Sequence, residues 1–293
     1  MMDLPKISRR HHYIPQFHLK GFLNDGGKIY LFDKVTKKIS RTNTKNVLLK
    51  KDRNLTVDSN GEKNDLLEKI YSSIEEVSVP VFDEIVKQKH EIKFSHYDKL
   101  SLSIYVATLY WRLPTSDEAS NRIRNENGFD AVPFNLFKKN GTVANNEERK
   151  KVLSNENIKK AYRLFLPFAS FYDQDYVNQV LKWRFLFNDP GYFLICDNPI
   201  IKKNKVKNPN ILNEFIVPLS KDCLLINNDI ISTENWSKEF FVQMGVAMFK
   251  QAERFVCGHN KLFLEKINEH YNVYERYNKT DRILPDLFKM VEK

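Results

Sequence analysis

Apolar residues in the middle of the chain recur at intervals of three and four, the pattern of amphipathic helices. The first such segment follows Asp65, and its apolar positions are Leu66, Leu67, Ile70, Ile74, Val77 and Val81. Pro80 predicts a kink there, because proline lacks the N–H that bonds four residues back. A second, almost wholly apolar helix is predicted from Ser95, its cap, to Leu113, before Pro114. A third is expected over about 156–187, with a possible break at Pro167.

Strand patterns lie on both sides of these helices. Gly26-Gly27 predicts a turn, followed by a strand over 28–33, a turn and a short partner strand at 39–41. A further strand is expected within 48–57. Residues 192–196, 215–219 and 223–226 predict three strands of one sheet, and a last helix is expected over 234–256.

The order of these elements predicts an α+β protein. It has an N-terminal β-hairpin, long central helices and a short C-terminal antiparallel or mixed sheet followed by helices. No internal repeat or clear linker is visible, so we expect one domain over 1–293, with a possible helical subregion over 64–188.

Composition narrows the class of protein. Hydrophobic residues make up 42% of the chain and aromatic residues 13%, which excludes a mostly disordered chain. No apolar run approaches the roughly 18 residues that span a bilayer. The three cysteines are widely spaced and form no disulfide or zinc pattern. We therefore expect a cytoplasmic protein without a membrane partner.

The charge is strongly positive and unevenly distributed. The net charge is +10, and thirteen lysines and arginines but only three aspartates lie between Lys6 and Arg53. Such a surface attracts polyanions, so nucleic acid is the expected partner. A general bias towards lysine is the alternative, and charge alone does not decide between them.

The densest group of reactive side chains follows Arg9. It comprises Arg10, His11, His12, Tyr13, Gln16 and His18. A histidine pair can supply the general base and acid that phosphodiester cleavage needs, which assigns His12 as base or acid and His11 as its partner. Arg10 would hold phosphate, with Tyr13 and Gln16 beside the substrate. Three histidines with Asp197 also allow a divalent metal, although the spacing matches no zinc motif.

The same block has a structural interpretation. Tyr13, Pro15 and Phe17 alternate as in an extended segment that packs one face on the core. His12 and Gln16 would then satisfy buried main-chain groups.

Three later positions extend the candidate site. Asp197 and Asn198 follow a predicted buried strand, where a catalytic carboxylate or metal ligand is often found, although an Asx-turn explains the same pattern. Arg112 and Arg254, each predicted on a helix, are candidates to hold phosphate. Each can equally pair with a glutamate in a structural bridge. The enzyme hypothesis requires that His11, His12, Asp197 and Arg254 converge in one cleft.

The opening phrase, HHYIPQFHLKGF at 11–22, resembles the signature of a widespread, uncharacterised bacterial family whose members begin with "HHYVPQFYLRNF". The resemblance continues in order along most of the chain. Residues 28–34 match a short family strand, Cys196-Asp197-Asn198-Pro199 a family "SDNP" motif with cysteine in place of serine, and Pro218-Leu219-Ser220 a "PLS" step. Ala252 to Val256 match a late helical motif. The resemblance implies a common fold and site without an established reaction.

Two functions are expected from these residues. The first is a nuclease that cleaves RNA or DNA, of the kind that acts as a toxin or effector in bacterial antiphage defence. The second is a non-catalytic module that binds nucleic acid or a protein partner within a multi-component assembly. No GxGxxG, P-loop or GxSxG motif is present, so a dinucleotide-binding protein, a P-loop NTPase and an α/β-hydrolase lose their usual support.

Overall fold

A computed structural model describes residues 7–58, 60–87, 93–189, 191–204, 210–227 and 237–292. The helices are α1 (Gln16–Lys20), α2 (Leu66–Glu76), α3 (Val79–Lys87), α4 (His96–Arg112), α5 (Asp117–Asn127), α6 (Asn146–Ser154), α7 (Glu156–Phe171), α8 (Tyr176–Leu181), α9 (Lys238–Gln251), α10 (Lys261–Arg276) and α11 (Ile283–Val291). The strands are β1 (Arg10–His12), β2 (Ile29–Asp33), β3 (Lys38–Thr42), β4 (Leu49–Lys51), β5 (Thr56–Val57), β6 (Lys63–Asn64), β7 (Arg184–Phe187), β8 (Ile195–Cys196), β9 (Ile201–Lys202), β10 (Phe215–Pro218), β11 (Cys223–Asn227) and β12 (Phe255–Gly258). The predicted α+β class is confirmed.

The apolar helix α4 lies at the centre of the helical region, as predicted. Ser95 and Asp98 form a reciprocal capping box at its start, and Pro114 follows its last turn. The helix is buried on most sides and packs on α2, α7 and α8. Its position brings Arg112, at its last turn, into the interior of the protein.

The kink expected at Pro80 and the break expected at Pro167 are not what the structure shows. The segment after Asp65 is two helices, and Pro80 is the second residue of α3, where a helix needs no N–H. Pro167 lies inside α7, which continues to Phe171. The third helix therefore ends well before 187, and Arg184–Phe187 form strand β7 instead. Pairing of β7 with β11 decides this, and a local helical pattern contains no information on such long-range pairing.

Eight of the twelve described strands form two four-stranded antiparallel sheets, and β1-β4 and β5-β6 are two-stranded. One has the order β3-β2-β12-β8 and contains the predicted N-terminal hairpin, and the other has the order β7-β11-β10-β9. The expectation of one sheet for 192–196, 215–219 and 223–226 is wrong, because Ile195–Cys196 pair with β12.

The last predicted helix is shorter than expected. Helix α9 ends at Gln251, and Phe255–Gly258 are strand β12 between β2 and β8. Arg254 therefore lies in the turn before a strand, not on a helix. The predicted start of this helix at Glu234 lies outside the described residues.

The N-terminal block is only partly extended. Strand β1 pairs with β4, but Gln16–Lys20 form the short helix α1, which corrects the expectation of an extended segment there. Tyr13, Leu19 and Phe22 belong to one large hydrophobic cluster that reaches Val291 in α11. The three cysteines are free and buried in the same cluster.

Candidate functional site

His11 is completely buried, and both of its ring nitrogens are engaged. Its Nδ1 accepts a hydrogen bond from the main-chain N–H of Asn54 at 2.8 Å, so the proton is on Nε2, which donates to the carbonyl of Ser8 at 2.9 Å. Residues alternate in direction along β1, and His11 is its inward residue, opposite Lys50 of β4. In this arrangement His11 joins its own segment of main chain to that of Asn54 and has no free nitrogen for proton transfer.

His12, on the opposite face of β1, is half-buried. Its Nε2 donates to the carbonyl of Thr44 at 3.1 Å, and no hydrogen bond within the described part of the chain engages Nδ1. Burial lowers the pKa of His12; the charges of Arg112 and Arg10 act in the same direction, while the Thr44 hydrogen bond and Glu68 oppose the shift. The ring is therefore neutral at pH 7, with Nδ1 available as an acceptor.

Arg10 and Gln16 contact the same short turn as His12. Arg10 Nη2 donates to the carbonyl of Lys45 at 2.7 Å and to Asn46 Oδ1 at 2.9 Å, and Thr44 Oγ1 lies 3.5 Å from Gln16 Oε1. These side chains thus hold the turn at 44–46 against β1. The bond of His12 to main chain agrees with the structural interpretation of the block, whereas Gln16 contacts a side-chain hydroxyl instead.

His18 is buried in α1 and also has both nitrogens engaged. Its Nε2 donates to the carbonyl of Pro218 at 2.8 Å, and Nδ1 accepts from the hydroxyl of Tyr105 at 2.7 Å. Burial lowers its pKa to about 4, and the bond to Pro218 opposes this shift. Among the described residues, no group of three or more His, Cys, Asp or Glu side chains is arranged to hold a metal ion.

Asp197 binds main chain. Its carboxylate accepts the N–H groups of Glu253, Arg254 and Phe255 at 2.8–2.9 Å. Burial raises its pKa, while these three hydrogen bonds oppose the shift. The neighbouring Asn198 offers its carbonyl to the Cys196 thiol at 3.1 Å. These contacts of Asp197 are with main chain remote in sequence, so they are not the local Asx-turn that was the alternative for this motif.

Arg254 pairs with Asp33 of β2 at 2.8 Å. Its guanidinium lowers the pKa of Asp33 to about 2, with burial opposing and two main-chain N–H groups assisting. The pair joins β2 to the turn before β12, the same turn that Asp197 binds.

The candidate residues thus separate into two groups. His12 lies near the charges of Glu68 and Arg112, and His11 is linked to Glu68 through Asn54, whereas Asp197 and Arg254 hold the turn before β12. Tyr13 is buried near Asp197, whose charge adds to the effect of burial in raising the tyrosine's pKa. No hydrogen bond or ion pair of the described residues joins either histidine to Asp197.

Arg112 lies in a buried network of charged groups. It donates to Glu68 at 2.8 Å and to Glu75, and its guanidinium lies 4.6 Å from the ring centre of Tyr71. Asn54 extends this network, since its Nδ2 donates to Glu68 at 2.7 Å while its N–H donates to His11. The glutamate bridge proposed as an alternative for Arg112 is therefore present, with Glu68 as an additional partner.

An open cavity of about 700 Å³ borders this network, on the side of α5 and α7. Seven of its lining residues are basic and three are acidic. A second cavity, of about 620 Å³, shares Arg124, Asn125 and Lys159 with it. We call the first cavity the basic groove; it is lined by Lys50, Lys51, Asp52, Arg53, Asp117, Ser120, Asn121, Arg124, Asn125, Glu156, Lys159, Lys160 and Arg163.

A family model described as "Protein of unknown function (DUF4238)" matches residues 10–262. The chain belongs to this family. The match confirms the resemblance inferred from the opening phrase, and its span includes the histidine block, the buried network and the basic groove. Comparisons with curated proteins and with solved structures found no match. No helix in the described part of this family member is long and apolar enough to cross a membrane.

Most residues of the basic groove in this family member were not predicted from the sequence. The missed signal is helical spacing: Glu156, Lys159, Lys160 and Arg163 recur at three and four and therefore share one face of α7. The apolar residues of α7 give the stronger sequence pattern, and a basic stripe on a helix ordinarily faces solvent. Only its position opposite α5 and β4 makes it a cavity wall.

Proposed function

We propose that this protein binds the phosphate backbone of nucleic acid in the basic groove. The observation that supports this most directly is the lining itself, with seven lysines and arginines against three acidic residues. Positive side chains that converge on a concave surface attract phosphates and release counterions when they bind them. The net charge of +10 gives the whole molecule the same sign.

Several of these cations have no acidic partner that would neutralise them. Lys50 and Lys51 are exposed on β4, and no ion pair or side-chain hydrogen bond among the described residues engages either of them. Lys160 donates to the carbonyl of Leu55, which orients it without cancelling its charge. Lys159, by contrast, pairs with Glu156 at the rim. The groove therefore has a net positive charge after its internal pairs are counted.

Binding is better supported than cleavage. Both nitrogens of His11 are engaged, and the Asp197 carboxylate is held by three main-chain N–H groups. Neither residue lines the groove. In these contacts the proposed nuclease residues stabilise the fold around a binding surface.

A direct test measures binding of fluorescently labelled 20-nucleotide single strands and 20-base-pair duplexes by anisotropy between 50 and 300 mM salt. We expect the logarithm of the affinity to fall linearly with the logarithm of the salt concentration. The double variant Lys50→Glu/Lys51→Glu should bind at least about tenfold more weakly and with a shallower salt slope. The matched control Lys266→Glu/Lys279→Glu, at two exposed positions outside the groove, changes the net charge equally and should bind as the wild type does. Equal binding by the groove variant would refute the proposal.

A nuclease is the second candidate, and one observation favours it. His12 has an unengaged Nδ1 and a neutral ring, as a general base requires, and lies near Arg10 and Arg112. Incubation of the same labelled strands with and without Mg²⁺ or Mn²⁺ tests it. Cleavage that is lost in His12→Ala, with binding retained, would support the enzyme; intact strands under all conditions would leave binding as the function.

A further inference from the structure

Two arginines at the floor of the basic groove share one carboxylate. Arg53 binds Asp117 through both terminal nitrogens, with Nη1–Oδ2 at 2.8 Å and Nη2–Oδ1 at 2.7 Å. Arg163 Nη1 lies 3.3 Å from the same Oδ1. All three residues line the cavity. The carboxylate thus lies where two guanidinium groups converge.

The arginines are fixed, whereas the carboxylate is exposed. The side chains of Arg53 and Arg163 are 8% and 7% exposed, and that of Asp117 is 41% exposed. Each arginine also has a second acceptor. Arg53 Nη2 donates to the carbonyl of Arg112 at 3.1 Å, and Arg163 Nη2 donates to Asn54 Oδ1 at 3.3 Å. Removal of the carboxylate from between them would leave both guanidinium groups in place.

Two further features indicate an anion site here. Arg53 Nε is buried and has no hydrogen-bond partner among the described residues, so the arginine has a donor that Asp117 does not use. Asp117 is also the first residue of the eleven-residue helix α5, whose N-terminus is the positive end of its dipole. Arginine binds phosphate with the same two-point geometry that it uses for carboxylate.

We infer that the floor of the groove is a phosphate subsite, formed by Arg53 and Arg163 and occupied by the Asp117 carboxylate until a phosphate group displaces it. This rests on the proposed function when the phosphate belongs to a nucleic-acid strand. A small free phosphate compound presents the same group. In the unbound protein Asp117 neutralises the two buried cations; in the complex the phosphate takes over that role and Asp117 turns towards solvent.

The first test removes the competing charge. Asp117→Asn should bind a 20-nucleotide oligothymidylate and inorganic pyrophosphate about tenfold more tightly than the wild type, the factor expected for a gained charge-assisted hydrogen bond. Asp52→Asn is the matched control, because Asp52 lines the same groove but pairs with Arg9, outside the lining. It removes the same charge and should change affinity much less. Equal effects of the two variants, or weaker binding by a folded Asp117→Asn, would overturn the subsite.

The second test uses the wild-type protein, so it does not depend on the folding of Asp117→Asn. Carboxylates are labelled with a water-soluble carbodiimide and an amine, and the labelled positions are quantified by mass spectrometry. Labelling of Asp117 should increase at saturating ligand, while that of Asp281, which is fully exposed, stays constant.

The two ligands separate the subsite from the proposed function. An increase at Asp117 with both oligothymidylate and pyrophosphate supports both. An increase with pyrophosphate alone supports the subsite for a small phosphate compound and contradicts the nucleic-acid function. Unchanged or decreased labelling with both ligands overturns the subsite, whereas the salt and lysine experiments still decide the proposed function.

Discussion

The Nδ1 atom of His11 accepts the main-chain N–H of Asn54 at 2.8 Å, and the side chain of Asn54 in turn binds Glu68, a partner of Arg112. The most conspicuous residue of the opening block is thereby joined to the buried charges beneath the basic groove. The histidine supports the groove without lining it.

His11→Ala should lower the free energy of unfolding by about 2 kcal/mol or more, because the buried N–H of Asn54 loses its acceptor. Urea denaturation followed by circular dichroism measures this. His270→Ala, at an exposed position of α10, should change stability by less than about 0.5 kcal/mol. If His11→Ala had normal stability but had lost cleavage of the labelled strands, His11 would instead be catalytic.

Arg112→Gln should lower the free energy of unfolding by about 3–5 kcal/mol, because Glu68 and Glu75 would remain largely buried without their cation. The exposed Arg276→Gln, in the last turn of α10, provides the matched control and should be nearly neutral. Urea denaturation of the two variants measures this difference in the free energy of unfolding. If Arg112→Gln were as stable as its control but bound oligonucleotide poorly, the arginine would act on ligand directly, as the sequence suggested.

Asp197→Asn should destabilise the protein by about 2 kcal/mol, since a neutral amide is a weaker acceptor for three main-chain N–H groups and its NH₂ faces one of them. Oligonucleotide affinity of the folded fraction should be unchanged. Asp281→Asn, at a fully exposed position, serves as the control. Loss of a catalytic rate with full stability would argue for a chemical role of Asp197.

The pKa of His18 predicts a pH dependence of stability. The folded-state pKa is about 4, below the ordinary 6.5, so between these values the unfolded chain binds more protons and stability falls as pH falls. The full effect from pH 7 to below pH 4 is roughly 3 kcal/mol. His18→Gln should make the curve of unfolding free energy shallower between pH 6.5 and 4, and His259, whose pKa burial also lowers to about 4, contributes to the slope that remains.

Asp33 gives a distinct window in the same titration. Its folded-state pKa is about 2, so its contribution to stability is lost as pH falls below about 4 towards 2. His18→Gln should leave that part of the curve unchanged. An equally steep decline of both proteins above pH 4 would show that His18 is not the titrating group.

Much of the fold was predictable because its determinants are local. Ser95, Asp98 and Pro114 delimit α4 within a few residues of chain, and the hairpin of β2 and β3 needs one short turn. Strand β7 and the first half of strand β12 were predicted as helix, because their strand conformation comes from partners far away in the sequence, β11 and β2. Pro80 and Pro167 likewise permit more than one local outcome, and packing decides between them.

The candidate site was likewise only partly predictable from the sequence. The sequence by itself determined the class of fold, the family, the basic charge and the presence of a polar block at 10–18, since composition and a specific phrase carry these. The tertiary structure alone decided what each polar group does. His11, His18 and Asp197 are bound to main chain from remote segments, whereas Arg53, Arg163 and Asp117, far apart in sequence, meet at the floor of one groove. A side chain's hydrogen-bond partners are set by the packing of distant elements, and no local pattern specifies them.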